Sequence, residues 1–351
     1  MTIQALKLYG RKDLRFEKAE EVEVTESDDV VIKVKAAGIC GSDLSRFAKL
    51  GPYVKGMTLG HEFSGVVEKV GKAVTHVNPG DRVAGCPAFP CKSCHECEKG
   101  NPARCEKLTV LGAFQAGAFA DKTKLPAANV LPIPDEVDDD TAAMIEPSAV
   151  VAHAYYRTSM QPGDTVAVIG CGNIGLLAIQ WAKTFGASTV YAIDIDSNKL
   201  TIAERVGADV TIQPKEKPAY EIIQELGGDG VDVAVESAGS VAASAEVLAL
   251  PKKGGEVVFM GIPYSDVSIE RFYFEKIVRN ELRILGGWNA VSSPFPGREW
   301  HTSIEAMRSG CIQTNPIITH RLPLEEGPAV FDRILNQNEF FSKVLLYPTT
   351  S

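Results

Sequence analysis

The chain has 351 residues, 45% hydrophobic and 23% charged, the balance of a globular protein with room for two domains of ordinary size. A formal net charge of -9 argues against nucleic acid or an anionic membrane as partner. The N-terminal MTIQALKLYGRKDLRFEKAE lacks the apolar core of a signal peptide and no apolar run reaches the ~18 residues of a membrane span, so a cytoplasmic location is expected.

Residues 1 to about 38 alternate apolar and polar, as in Ile3, Leu6 and Leu8 and then Val30-Val-Ile-Lys-Val, and read as antiparallel strands. Gly38-Ile-Cys40-Gly-Ser42-Asp43 breaks the alternation and opens a helix, with Ser42 or Asp43 expected as its cap. Leu59-Gly-His61-Glu62-Phe-Ser-Gly65 leads into a strand over Val66 to Val70, and Asn78-Pro-Gly-Asp81 is a turn before a further short strand. This part reads as a compact β barrel.

Residues 86–106 then form a cysteine-rich lobe. Cys91, Cys94, Cys97 and Cys105 have the spacing C-x2-C-x2-C-x7-C, which suits one tetrahedral structural zinc. The same thiols could hold an iron–sulfur cluster, whereas disulfides are disfavoured in a reducing compartment. His95, inside the cluster, is expected to be exposed rather than a fifth ligand. Beyond the lobe, Gly117 to Asp121 reads as a strand, and Asp138-Asp-Asp-Thr141 caps a helix carrying Glu146-Pro147.

The segment Thr165–Asp194 is the organising element of the chain's second half. An apolar strand, Thr165 to Ile169, runs into the glycine turn Gly170-Cys-Gly172-Asn173-Ile174-Gly175, a helix to Phe185 and a second strand ending in Asp194, 19 residues beyond Gly175. G-x-G-x-x-G in this strand–turn–helix–strand–acid context is a dinucleotide fingerprint. Gly170 permits the tight turn, Gly172 lets a pyrophosphate approach the helix N-terminus, and Gly175 lets helix and strand pack closely. Asp194 can accept from both ribose hydroxyls and would repel a 2′-phosphate, so NAD is expected rather than NADP. Strand and helix patterns continue to Leu285, making six strands of a doubly wound parallel sheet, with Lys199 and Gly261 as further cofactor-binding candidates. The expected division is 1–149 catalytic, 150–286 dinucleotide-binding and 287–351 returning to the first domain.

Outside the cysteine lobe, Cys40, His61, Glu62 and Glu146 are candidate ligands of an open metal site, although no spacing rule joins them. Gly38-Ile-Cys40-Gly-Ser-Asp43, Gly60-His61-Glu62-Phe-Ser-Gly-Val-Val67, the four-cysteine loop and the glycine turn, in this order, resemble the zinc-dependent medium-chain dehydrogenase family over essentially the whole chain. Glu146-Pro147, where the alcohol dehydrogenases have a cysteine, is similar to its polyol dehydrogenase branch. Gly287-Trp288 to Trp300 resembles the tail of polyol-phosphate dehydrogenases of that branch. The stretch Ser42-Asp43-Leu44-Ser45-Arg46 lacks the histidine that sorbitol dehydrogenases carry near Ser45.

The resemblance implies an α/β fold: a GroES-like, mostly-β catalytic domain and a Rossmann domain, associating as a homodimer or homotetramer. It implies a catalytic metal on Cys40, His61 and Glu146, with Glu62 a direct ligand or linked through water. The metal expected is zinc, with manganese admissible for such mixed donors. It implies NAD-dependent oxidation of a secondary hydroxyl of a small-molecule polyol or polyol phosphate, such as galactitol 1-phosphate or an arabitol phosphate. Ser42 would carry the proton, assisted by Glu62. Arg46, Lys49 and Arg298 are the expected phosphate cations, and Trp288 and Trp300 candidate pocket walls. The alternatives are a dehydrogenase of free polyols or other secondary alcohols, and a non-catalytic dinucleotide-binding scaffold; a metal-free quinone reductase would lack both ligand sets.

Overall fold

The computed structural model describes residues 2–336 and 339–348. It divides into two compact units, Met1–Glu146 with Ala290–Arg308 and Ile318–Ser351, and Pro147–Asn289 with Ser309–Ile317. Within the expected return segment 287–351, Ser309–Ile317 thus groups with the second unit. There the side chain of Gln180 accepts from the Gln313 amide at 2.6 Å and donates to its carbonyl at 3.1 Å.

In the first unit the alternating N-terminal residues form two antiparallel strands, Thr2–Gly10 and Asp13–Glu20. A second sheet is built on Asp29–Gly38, which pairs with Glu62–Val70, Lys122–Pro126 and the C-terminal Lys343–Tyr347. Leu6, Leu8, Ile32, Phe47, Phe63 and Phe119 fill the interior, each large side chain contributing about 1.5–3 kcal/mol on burial. The register matters for the site. Gly38 lies opposite Glu62 on one side and Leu345 on the other, so Glu62 and Lys343 converge on a glycine. A Cβ at Gly38 would stand 2.5 Å from Glu62 Oε2 and 2.6 Å from Lys343 Cε.

Three local expectations are corrected. Gly117 to Asp121 is not a strand. Its first amides bond to residues 58–60 instead, Gly117 to Thr58 at 2.8 Å, Ala118 to Gly60 at 2.9 Å and Phe119 to Leu59 at 2.9 Å, the Asp121 amide bonds to the Gln4 carbonyl at 3.0 Å, and the strand begins at Lys122. The helix carrying Glu146 is not the one capped by Asp138. Asp138 caps the short helix Asp139–Ala142, and a separate helix, Ile145–Tyr155, holds Glu146 in its first turn. The cap of the Gly41–Ser45 helix is Cys40, and Asp43 accepts the Cys40 amide at 3.0 Å from inside the helix.

The second unit contains the six parallel strands expected. Their spatial order is Val210–Ile212, Thr189–Ile193, Thr165–Ile169, Val231–Glu236, Pro251–Phe259 and Arg283–Gly286. The order reverses between Thr165–Ile169 and Val231–Glu236, and the glycine turn follows the first of these, where such sheets bind ligands. The helix Asn173–Thr184 packs almost all of its apolar residues inward, including Trp181, whose Nε1 donates to Ser148 Oγ at 3.0 Å.

Candidate functional site

Cys40, His61 and Glu62 arrive from different elements. Cys40 caps the helix after the strand Asp29–Gly38, while His61 and Glu62 stand where the next strand begins. One ligand atom from each lies within 4.8 Å of the others. The Asp43 carboxylate stands 3.7 Å from His61 Nδ1, an electrostatic contact on that side of the ring. Burial opposes protonation of His61, but Asp43 and Cys40 outweigh it and hold the imidazole pKa well above its ordinary value. Asp43 is itself 2% exposed, and burial pushes its carboxyl above the usual range.

Glu146 stands outside the group of three but acts on it electrostatically. Burial pushes its carboxyl up to about 7, with Glu62 and Asp43 adding to the shift and His61 and Lys343 opposing it. Glu62 is 1% exposed and is met by the ammonium of Lys343, equally buried, which also donates to the Ile39 carbonyl at 3.1 Å. Ser42 is exposed on the first turn after Cys40. Reading the sequence missed two participants, Asp43 as the partner of His61 and Lys343 as the partner of Glu62. The position of Asp43 three residues after Cys40 was an available signal for the first; Lys343 had none, being 281 residues from Glu62 in the chain.

A thiol, an imidazole and two carboxylates gathered with a single ammonium form a donor set that suits a divalent cation such as zinc. The raised pKa of His61 reflects the anionic groups around it, and that of Glu146 chiefly its burial; a bound cation would favour the ionised form of both carboxylates.

The sulfurs of Cys91, Cys94, Cys97 and Cys105 form a second cluster within 4.8 Å, suited to one structural zinc. Cys105 Sγ accepts the amides of Cys91 at 3.2 Å and Lys107 at 3.4 Å. Amide and hydroxyl donors from Ser93 bring the Cys91 thiol down to about 6, and burial takes Cys97 up to about 12. His95 is exposed and outside the cluster.

In the second unit a groove of ≈ 330 Å³ is lined by Gly170, Gly172, Asp194, Ile195 and Lys199 among others. Gly170 has φ +91°, which only glycine adopts without strain. A Cβ on Gly172 would meet nothing within 4 Å, and one on Gly175 would lie 1.8 Å from the Gly170 carbonyl oxygen. The three glycines thus serve the turn, the open approach and the close packing. Asp194 accepts the Cys171 amide at 2.7 Å and the Asp196 amide at 2.9 Å, one on each oxygen, and Lys199 Nζ stands 3.8 Å away. Asn173, Ile174 and Gly261 do not line the groove. The side-chain oxygen of Asn173 is buried without a partner, and Gly261 packs on Gly239 and Glu236.

Of the proposed substrate residues, Arg46 and Lys49 come just after the Cys40 helix and Arg298 begins the helix Arg298–Arg308. Trp288 belongs to the second unit and is 57% exposed. Trp300 is a core residue, 1% exposed, donating to the Ala290 carbonyl at 2.5 Å.

Two family descriptions match the chain: "Alcohol dehydrogenase GroES-like domain" over residues 26–135 and "Zinc-binding dehydrogenase" over 173–307. The chain is 36% identical over 330 residues to galactitol 1-phosphate 5-dehydrogenase of Escherichia coli (strain K12), covering 93% of this chain and 94% of that one. It is 34% identical over 352 residues to sorbitol dehydrogenase of Bacillus subtilis (strain 168), covering 99% and 97%. It is also similar to the crystal structure of a zinc-binding dehydrogenase from Sinorhizobium meliloti 1021 bound to NADP, with a TM-score of 0.91, 32% identity, and coverage of 99% and 100%. With a GroES-like unit and a doubly wound nucleotide-binding unit matched along nearly its full length, the chain is an enzyme of the zinc-dependent medium-chain dehydrogenase family.

Proposed function

We propose that the enzyme oxidises a secondary hydroxyl of a sugar alcohol phosphate to the ketose phosphate, with NAD as hydride acceptor. The observation that carries this is the convergence of Cys40, His61 and Glu62, faced by Glu146, in a chain similar to galactitol 1-phosphate 5-dehydrogenase. Cys40, His61 and Glu146 would hold the catalytic metal, with Glu62 as an additional ligand or a water-linked neighbour. When bound, zinc supplies Lewis-acid polarisation of the substrate hydroxyl.

The chain's own residues do the rest. Asp43 sets a carboxylate beside His61 Nδ1. Lys343 balances Glu62, keeping a carboxylate at the site where an unpaired one would be expelled or protonated. Ser42 Oγ accepts the hydroxyl proton and, being exposed, passes it to solvent. Gly170, Gly172 and the N-terminus of the helix Asn173–Thr184 receive the pyrophosphate, and Asp194 the adenosine ribose. Arg46, Lys49 and Arg298 supply cations for the substrate phosphate. The similarity to sorbitol dehydrogenase favours a second reading, the same chemistry on free polyols.

The test is NADH production by zinc-loaded and manganese-loaded enzyme on matched pairs: galactitol and galactitol 1-phosphate, arabitol and its phosphates, sorbitol and its 6-phosphate. Turnover confined to the phosphorylated members is expected; equal turnover of free polyols would select the second reading. Cys40→Ala should abolish turnover while NADH still binds, and full activity in that variant would remove Cys40 from the site.

We also propose a cytoplasmic homodimer or homotetramer. Arg283–Gly286 is an edge strand of the parallel sheet with Ile284 43% exposed, and the helix Arg271–Arg279 presents Phe272, Phe274 and Val278 to solvent, an apolar face of the kind that oligomers cover. Among the described residues no helix is long and apolar enough to cross a membrane. A monomeric mass by sedimentation at micromolar concentration would refute the oligomer.

A further inference from the structure

In the first unit, three side chains from separate segments are stacked in the open. The guanidinium of Arg46 lies 3.8 Å from the centroid of the Tyr53 ring. Tyr53 in turn stacks on Phe114, with centroids 4.5 Å apart and ring planes 16° from parallel. The rings are not core residues, since Tyr53 is 60% and Phe114 46% exposed, and Leu50 at 60% and Val54 at 53% are exposed in the same segment as Tyr53. Exposed contiguous apolar surface of this kind marks a ligand groove more often than chance.

Both sides of the stack are tied to the candidate metal ligands. Arg46 ends the short helix that Cys40 caps. Phe114 rides on a turn pressed against the residue before His61. A Cβ at Gly112 would stand 2.7 Å from the Gly60 carbonyl oxygen, and Ala118 donates its amide to that same carbonyl at 2.9 Å. Two short rigid connections thus hold the stack at a set reach from Cys40 and His61.

The charge at the top of the stack is uncompensated. Among the described residues no carboxylate lies within ion-pair distance of Arg46, whereas Lys49 and Arg298 each have another partner. A guanidinium seated over a ring face with no carboxylate partner retains N–H donors, in the planar fork that matches a phosphate.

We infer that the Arg46–Tyr53–Phe114 stack is the specificity-determining element of the site, Arg46 binding the terminal phosphate of the substrate and Tyr53, backed by Phe114, acting as the positioning residue that fixes the guanidinium plane. This rests on the polyol-phosphate reading above. Leu50 and Val54 flank the path of the substrate's carbon chain.

The test uses zinc-loaded enzyme with NAD, comparing galactitol 1-phosphate with galactitol for the wild type and for Arg46→Ala, Tyr53→Ala and Tyr53→Phe. Arg46→Ala should raise KM for the phosphate roughly tenfold or more relative to the free polyol, as expected for loss of a charge-assisted contact. Tyr53→Ala should raise it several-fold, with kcat falling far less than KM rises, and Tyr53→Phe should recover most of that loss because the ring remains. If the wild type oxidises the phosphate and neither alanine variant moves its KM, this inference fails alone. If the wild type oxidises no polyol phosphate, the functional reading fails and this inference with it. If Tyr53→Ala instead dissociates an oligomer and leaves KM unchanged, the patch belongs to a second copy and the inference is overturned.

Discussion

Replacing Lys343 by methionine tests the electrostatic design of the site most directly. Methionine keeps the length and apolar stem of lysine, so packing changes little, but the ammonium that meets Glu62 and the Ile39 carbonyl is gone. Glu62 is 1% exposed, so bulk solvent cannot replace that partner. It must stay ionised without a partner or take up a proton. Removing one partner of a buried ion pair in this way costs about 3–5 kcal/mol.

Thermal unfolding monitored by circular dichroism on metal-stripped protein should show Tm lowered by roughly 4–7 °C, given an unfolding entropy of about 0.7 kcal/mol/K for a chain of 351 residues. Adding Glu62→Gln to the variant should restore most of the loss. An unchanged Tm, or a double variant no better than the single, would refute the reasoning.

Stability should also depend on pH through Asp29. Burial disfavours its charge, but Lys124 at 2.9 Å and donors from Thr25 and Glu26 outweigh this and bring its carboxyl down to about 2. Because the folded-state pKa is depressed, the stabilisation of about 2 kcal/mol is complete above pH ~4 and lost as pH falls towards 2. Asp29→Asn should therefore unfold more easily than wild type at pH 5 and equally at pH 2, with parallel urea curves at every pH as the contrary result. Asp194→Ser should raise KM for NAD about tenfold and narrow its preference over NADP; an unchanged preference would remove Asp194 from ribose recognition. Cys97→Ser should lower the zinc content by one ion per chain and Tm by several degrees, and unaltered metal content would leave the lobe without a zinc role.

The parts of this protein visible in its sequence are those whose partners are near in the chain. The glycine turn could be assigned residue by residue because strand, turn, helix and acid lie within thirty residues, and φ +91° at Gly170 and the tight packing of Gly175 reflect local sterics. The four thiols of the lobe are as local. The six strands of the parallel sheet were legible in the alternation of apolar runs and helical periods.

Elsewhere the sequence pattern misled. Gly117 to Asp121 has strand-like composition, but the amides of Gly117, Ala118 and Phe119 are taken by residues 58–60 and that of Asp121 by Gln4. Asp138 does cap a helix, one that ends before the next begins at Ile145. Cys40, His61 and Glu146 were candidates only because they sit in recognisable motifs; no periodicity brings Cys40 and His61 together, and sheet register does. Lys343 is the clearest case. In the sequence it is one lysine in an apolar strand, and only the pairing of Lys343–Tyr347 with Asp29–Gly38, beside Glu62–Val70, sets it against Glu62 over a glycine. The stack of Arg46, Tyr53 and Phe114 is likewise invisible in one dimension. Local sterics and spacing determine turns, caps and clustered ligands from sequence alone, while long-range strand pairing, whose register depends on the whole core, decides which distant charges meet.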